Sequence, residues 1–357
     1  MIKEKHIFAG NNSSKGFFSY FDHIISLEDA ERIYILKGGP GVGKSSFMKK
    51  FGKEMAAKGY DLEYIHCSSD NDSLDGLLIP QLKILFVDGT APHIVDPKVP
   101  GAVDEIINLG VYLNSKELEK HKNKIMQINK TISCLYNSAF RYLSAASSID
   151  EEINSIYDKI SDEDKFRQIV DETINKLFSS VPTIKKRGKN RKIFTEAYTS
   201  SGYINYINTL VKDLNVYAIV GENHNYVSKL LKIVADESMK RGYDIQCSYY
   251  ALNPEKIQHI IISELNIAII SAENCMGVNC QVAVNLHNIM DTDKLKSYIS
   301  EIENNMHLYD LLIKNALRKL SDTKKHHDLL EVFYLNSMDF MDFSGVDSCF
   351  EKLLSEY

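Results

Sequence analysis

The chain is expected to fold as two α/β units in tandem, each with a mostly parallel sheet and a helical appendage. Three observations predict this. A short apolar strand runs into a glycine-rich turn and a helical pattern over residues 32–48. A second stretch of similar pattern follows at a constant spacing of 183 residues, and each is trailed by a long polar segment with apolar residues every three or four positions.

Composition fits that reading. With 357 residues, 44% of them hydrophobic and 25% charged, the chain can bury two proper cores. A net charge of −6 argues against wholesale electrostatic capture of nucleic acid. The cysteines (Cys67, Cys134, Cys247, Cys275, Cys280 and Cys349) contain no CxxC pair and read as reduced thiols; Cys275 and Cys280 lack the second pair that a metal site needs. The start, MIKEKHIFAG, lacks the apolar core of a signal peptide, and the longest apolar run, Ile257 to Ile270, is broken by Ser263, Glu264 and Asn266. A soluble, cytoplasmic protein without a membrane span is expected.

The first element with chemistry is RIYILKGGPGVGKSSFM, residues 32–48. Ile33 to Leu36 is a short strand, and Gly38, Gly43, Lys44 and Ser45 fit G-x-x-x-x-G-K-[ST] directly before a helix. Glycines are needed because the backbone must wrap closely around phosphate oxygens with its N–H groups turned inward. The helix start adds its positive dipole end. Gly38, Gly39, Pro40, Gly41, Val42, Gly43, Lys44, Ser45 and Ser46 form the expected cradle. Lys44 reaches the β- and γ-phosphates, and the Ser45 hydroxyl ligates Mg2+. A second strand, Ile84 to Val87, ends in Asp88, the expected second Mg2+ contact; read alone, an aspartate there is a turn former.

The repeat places residues 32–88 over 215–271 without a gap. Gly38 meets Gly221, Ser45 meets Ser228, and Gly59-Tyr60-Asp61 meets Gly242-Tyr243-Asp244. Upstream the spacing is 186 (Phe8 over Phe194) and downstream 177 (Asn137 to Ser144 over Lys314 to Ser321). The expected domains are residues 1–180 with a helical segment at 114–178, and residues 190–357 with one at 292–335. In the second copy Lys44 becomes Val227, Gly43 Tyr226, Gly41 His224 and Asp88 Ser271, so that copy is expected to have lost phosphate binding.

The drop in spacing gives the first copy six more residues after Asp88, in GTAPHIVDPKVPGAVDE, which predicts a longer loop over its site. His93, Asp96 and Glu105 are candidates there, and Asp70, Asp72 and Asp75 lie across the rim. A histidine or carboxylate among them could orient water or take a proton; equally, Asp70 and Asp72 could shape a turn and Asp75 start a helix.

From Ile125 to Ile160 apolar residues alternate at three and four, the seam of a long helix packed on another, either a hairpin over its own sheet or a protein-partner coiled coil. The run KKRGKNRK, residues 185–192, reads as a solvated linker or a basic contact. This run, Arg241 or Arg318 could serve as an arginine finger within the chain.

On GGPGVGKSS (38–46), HCSSDNDSLDG (66–76) and the segment from Asp88 to Gly110, the chain resembles the P-loop NTPase superfamily. It resembles more closely a family of tandem-duplicated bacterial ATP-binding proteins of ATPase or nucleotide-kinase type. The resemblance covers nearly the full length and implies ATP and Mg2+ bound in the first half, without supplying an acceptor. Three functions are expected from this: an ATPase using Lys44, Ser45 and Asp88, with His93 among its catalytic candidates and an inactive second copy as regulatory partner; a small-molecule or nucleotide kinase in which Asp70 or Asp72 positions the acceptor hydroxyl; or an ATP-sensing scaffold. No N-K-x-D guanine motif follows Asp88.

Overall fold

The computed structural model describes residues 2–91, 94–275, 277–338 and 343–357. In the first half, β1 (Glu4–Phe8), a hairpin of β2 (Gly10–Ser13) and β3 (Gly16–Ser19), β4 (Arg32–Lys37) and α1 (Lys44–Ala57) come first. Then follow β5 (Leu62–His66), β6 (Leu74–Ile79), β7 (Ile84–Asp88) and β8 (Asp104–Asn108). Three helices end the half: α2 (Ser115–Lys120), α3 (Lys122–Ile160) and α4 (Glu163–Phe178).

The second half opens with β9 (Asn190–Ile193), the hairpin β10 (Glu196–Thr199) and β11 (Gly202–Asn205), the short α5 (Ile207–Val211), β12 (Asn215–Val220) and α6 (His224–Lys240). It continues with β13 (Ile245–Tyr249), β14 (Ile257–Ile262), β15 (Ile267–Ser271) and β16 (Cys280–Asn285). It ends in α7 (Thr292–Leu335) and α8 (Phe343–Ser355).

The two six-stranded sheets have one topology. Their orders are β1-β5-β6-β7-β4-β8 and β9-β13-β14-β15-β12-β16. In each, the third strand runs antiparallel to both neighbours and the other pairings are parallel. The α/β class with mostly parallel sheets is therefore observed. One element departs from the sequence reading: Asp75 starts no helix but lies buried in β6, whose six residues are all buried. A strand covered on both faces shows no period-two pattern, and Asp75 and Gly76 interrupt its apolar run.

Alternate residues of β4 and β7 face opposite ways. Tyr34, Leu36 and Phe86 pack on Phe47, Met48 and Phe51 of α1. Ile33, Ile35, Leu85 and Val87 join a core shared with Val216, Ala268 and Ile270 of the second sheet. A buried ion pair supports this junction. The Arg191 guanidinium donates to both carboxylate oxygens of Glu63, and its Nε donates to the Ile24 carbonyl at 2.9 Å. Burial works against the Glu63 charge, but Arg191 holds its carboxyl below the usual range.

In space the halves do not divide at residue 180. Phe166, Leu177 and Phe178 of α4 pack on Tyr226, Val227 and Leu230 of α6, in the second half. Phe350 and Leu353 of α8 pack on Phe47 and Phe51 of α1, in the first. Each half's last helix completes the other's outer layer. The helical seam is likewise filled across halves: Ala139, Leu143 and Ala146 of α3 meet Ala316 and Leu320 of α7. The two run antiparallel, with His121 before α3 against Phe333 near the end of α7, and Ser161 after α3 bridging Met290 before α7. This replaces both the hairpin within one half and a partner coiled coil on that seam.

The contacts between halves come in symmetric pairs. Leu113 bridges Met338 as Met290 bridges Ser161, each residue and its counterpart being 177 apart. Phe8 and Phe194 exchange two backbone hydrogen bonds of 2.9 Å with each other, which puts them on the pseudo-twofold axis.

Candidate functional site

The turn after β4 follows from its glycines. Gly41 and Gly43 adopt φ of +73° and +90°, in the left-handed region open to glycine. Gly43 is the N-cap of α1 and offers no side chain, so the first N–H groups of the helix are left without a side-chain cap. The Lys44 Nζ folds back to donate to the carbonyls of Gly38 (3.0 Å) and Gly39 (2.9 Å) and lies 3.5 Å from the Asp88 carboxylate. Lys44 is only 8% exposed. Asp88 stands beside it because β7 pairs in parallel with β4, matching Asp88 to Leu36. Its Oδ1 accepts from the Thr90 amide (2.9 Å) and hydroxyl (2.6 Å), which fixes the carboxylate's direction.

The Ser45 Oγ accepts from the Leu74 amide at 3.0 Å, and Ser228 in the second half accepts from Ile257 at 2.9 Å in the same way. That shared bond ties each first helix to its antiparallel strand, and it explains why the serine persists where the lysine does not. Ser46 is exposed on the next position.

The other candidates separate. Asp70 accepts from the Ser73 hydroxyl at 3.0 Å and lies 3.5 Å from Lys324 of α7. The Asp72 side chain is contacted by the Asn71 amide at 3.4 Å, and its carbonyl accepts from Lys49. Both shape the β5–β6 turn. His93 lies outside the described residues. The long loop does not close over the glycines along residues 94–103: Val95 and Val103 pack on the sheet face opposite α1. Lys37 anchors this loop through the Gly89 and Val95 carbonyls and Asp96. Apolar residues at 95 and 103 draw the segment to the shared core. Glu105 lies on β8.

None of the named arginines reaches the glycine turn. Arg241 bonds Glu237 and the Phe178 carbonyl, Arg318 bonds Asn315, and Arg191 bonds Glu63. Lys186 and Lys189 in the basic run pair with Asp244 and Asp29.

What covers the turn is an element that sequence reading missed, the end of α7. A Cβ placed on Gly39 would lie 2.5 Å from the Tyr334 ring, and one on Gly41 3.3 Å from Leu335. Upstream on α7, His327 lies 3.3 Å from Glu331, a contact that holds the Glu331 carboxyl below its ordinary value against the effect of burial. Ligand atoms of His327, Asp328 and Glu331 lie within 4.8 Å of one another, a grouping able to hold a divalent cation. The KKHHD run at 324–328 was its only local signal.

At the equivalent place in the second half the turn is filled. Asn223 caps α6 by accepting from Asn225 and Tyr226. The end of α3 bonds directly to the turn: Asn154 accepts from the His224 amide at 2.7 Å, Asp150 meets the His224 ring at 3.1 Å, and Asp158 accepts from Asn223 and Asn225. Burial favours neutral His224, yet Asp150 raises its pKa above the ordinary value. Val227, in the place of Lys44, is fully buried.

Comparison with protein-family models, with curated proteins and with solved structures gave no match in any of the three. Among the described residues no helix is long and apolar enough to cross a membrane.

Proposed function

We propose that the first half is a P-loop site that binds ATP with Mg2+ and hydrolyses it, and that the second half is a tandem copy without that activity, retained as a regulatory partner. The observation that carries the reading is the convergence of an uncapped helix start, a buried lysine and a strand-end carboxylate at residues 38–46 and 88, in a turn whose Gly41 and Gly43 take the left-handed conformation.

Lys44 would exchange its two carbonyl bonds for β- and γ-phosphate oxygens, a charge-assisted replacement. Ser45 and Asp88 are the residues that would hold Mg2+, which neutralises charge on the transferring phosphoryl group. Because Tyr334 rests on Gly39, nucleotide entry would move the end of α7, and α7 belongs to the other half. That contact supports a conformational output, and it equally supports a second reading, an ATP-sensing scaffold with little turnover. The kinase reading has weaker support, since Asp70 and Asp72 are occupied in their turn.

The test is phosphate release from MgATP and direct ATP binding, with Lys44→Ala as control. Steady release lost in the variant supports the ATPase; tight binding without release supports the sensor; no binding by the wild-type chain would remove both.

A further inference from the structure

The second half contains a cavity of about 350 Å³ that belongs to none of the groups described above except at its edge, where His224 and Asp150 border it. It opens at the C-terminal rim of the second sheet, where Tyr250 follows β13 and Glu273 follows β15. Its volume lies at the lower end of the range for small-molecule sites.

Two features define its chemistry. The walls are aromatic: Tyr198, Tyr203, Tyr250 and Tyr309 line it. Its polar lining includes the carboxylates of Glu196 and Glu273 and the amide of Gln258. Glu196, 3% exposed, accepts from Gln258 Nε2 at 2.9 Å, from the Ala251 amide at 3.3 Å and from the Tyr203 hydroxyl. Gln258 is 1% exposed, its amide is oriented by that bond to Glu196, and its Oε1 has no hydrogen-bond partner among the described residues. Glu273 adds a second carboxylate, with Ser271 donating to one of its oxygens at 3.1 Å. Asp150 is matched by His224 at 3.1 Å, and Lys256 lines the cavity within electrostatic reach of that pair.

In the first half the position equivalent to Glu196 is closed. Gly10 stands where Glu196 stands, and a Cβ on Gly10 would lie 2.3 Å from the Phe17 ring, so Phe17 fills that volume.

We propose that this cavity binds a small organic cation carrying N–H donors, a primary or secondary alkylammonium, with Glu196, Glu273 and the free Gln258 oxygen accepting from the nitrogen and the tyrosine rings facing the alkyl chain and charge. The Gln258 oxygen is costly to leave buried without a donor, and an ammonium among tyrosines gains from the ring quadrupoles. Tyr203, 47% exposed, leaves a route from solvent. The proposal stands independently of nucleotide binding in the first half.

The test is calorimetric titration of the full chain at pH 8 with n-butylammonium and putrescine, and with myo-inositol as a neutral polyhydroxyl probe. Saturable binding of an amine is expected, weakened at least tenfold in both Glu196→Gln and Glu273→Gln. Should Glu196→Gln not fold, Glu273→Gln decides alone. The proposal is overturned if neither amine binds at 10 mM, if folded variants bind as the wild type does, or if inositol binds in preference.

Discussion

Where β4 ends, the following helix starts from a bare Gly43 and the lysine behind it is buried but movable; where β12 ends, the following helix is capped by Asn223 and bonded from above by Asn154 and Asp150. Both turns are approached by the end of a long helix from the opposite half. In the first, the approaching side chains are Tyr334 and Leu335, which lie against glycines; in the second, they are hydrogen-bond partners of the turn itself. Contact by apolar packing can be exchanged for a ligand more readily than contact by several buried hydrogen bonds. On the proposed reading, the difference teaches that the second turn is closed by its partner helix as well as by the absence of a lysine.

The sharpest way to break this comparison is through nucleotide binding. Lys44→Ala should lower ATP affinity and phosphate release at least about 100-fold, on the scale of a lost charge-assisted phosphate contact. Val227→Lys should not create a second site, because Asn154, Asp150 and Asp158 still occupy the turn. A calorimetric stoichiometry of two nucleotides in Val227→Lys would refute the closure argument.

Titration of stability gives the next effect. Burial pushes the Glu196 carboxyl from its ordinary 4.5 up to about 7, Tyr203 and Gln258 opposing that rise and Glu273 adding to it. The folded chain therefore holds a proton that the unfolded chain releases between those values. Stability should fall as pH rises from 4.5 through 7, by up to about 3 kcal/mol for this group. Urea unfolding of wild type and Glu196→Gln across that range should differ by this slope, the wild type losing stability relative to the variant as pH rises.

Asn154→Ala should cost about 1–3 kcal/mol, since the His224 amide and the Asp150 carbonyl both lose a buried partner. Glu331→Ala, at the equivalent position over the first turn, should cost less than about 1 kcal/mol because only a half-exposed pair with His327 is lost. Equal losses in thermal unfolding would show that the two helix ends dock alike.

The smallest effect concerns the β6–β7 turn and its twin. Lys83 and Asn266 occupy it with φ of +56° and +55°. Asparagine tolerates that conformation better than lysine. Lys83→Asn should raise stability by about 0.5–1 kcal/mol, and Asn266→Lys should lower it similarly; midpoints of chemical denaturation that move the other way would contradict the reading.

How much of this was legible depended on distance along the chain. The glycine turn, Lys44 and Asp88 could be read because their chemistry lies within two strand-to-turn segments, and the duplicated topology because its copies align without a gap. The strand β6 was hidden since both of its faces are covered. Tyr334 over Gly39 could not be read: the two lie nearly 300 residues apart and meet only through tertiary docking. The cavity did leave a trace, a glutamate at 196 where the aligned strand has Gly10, and a carboxylate entering a buried hairpin is a marked change.

The exchanged terminal helices have a consequence for synthesis. The layer outside α1 is completed by Phe350 and Leu353 of α8, far along the chain from β8. At ordinary elongation rates of about 5–20 residues per second, the ribosome adds them roughly 10–50 s after β8. Throughout that interval the nascent first half carries Phe47 and Phe51 without their final covering, so its apolar face is open to chaperones until α8 has been made. A chain truncated before α8 would keep that exposure permanently.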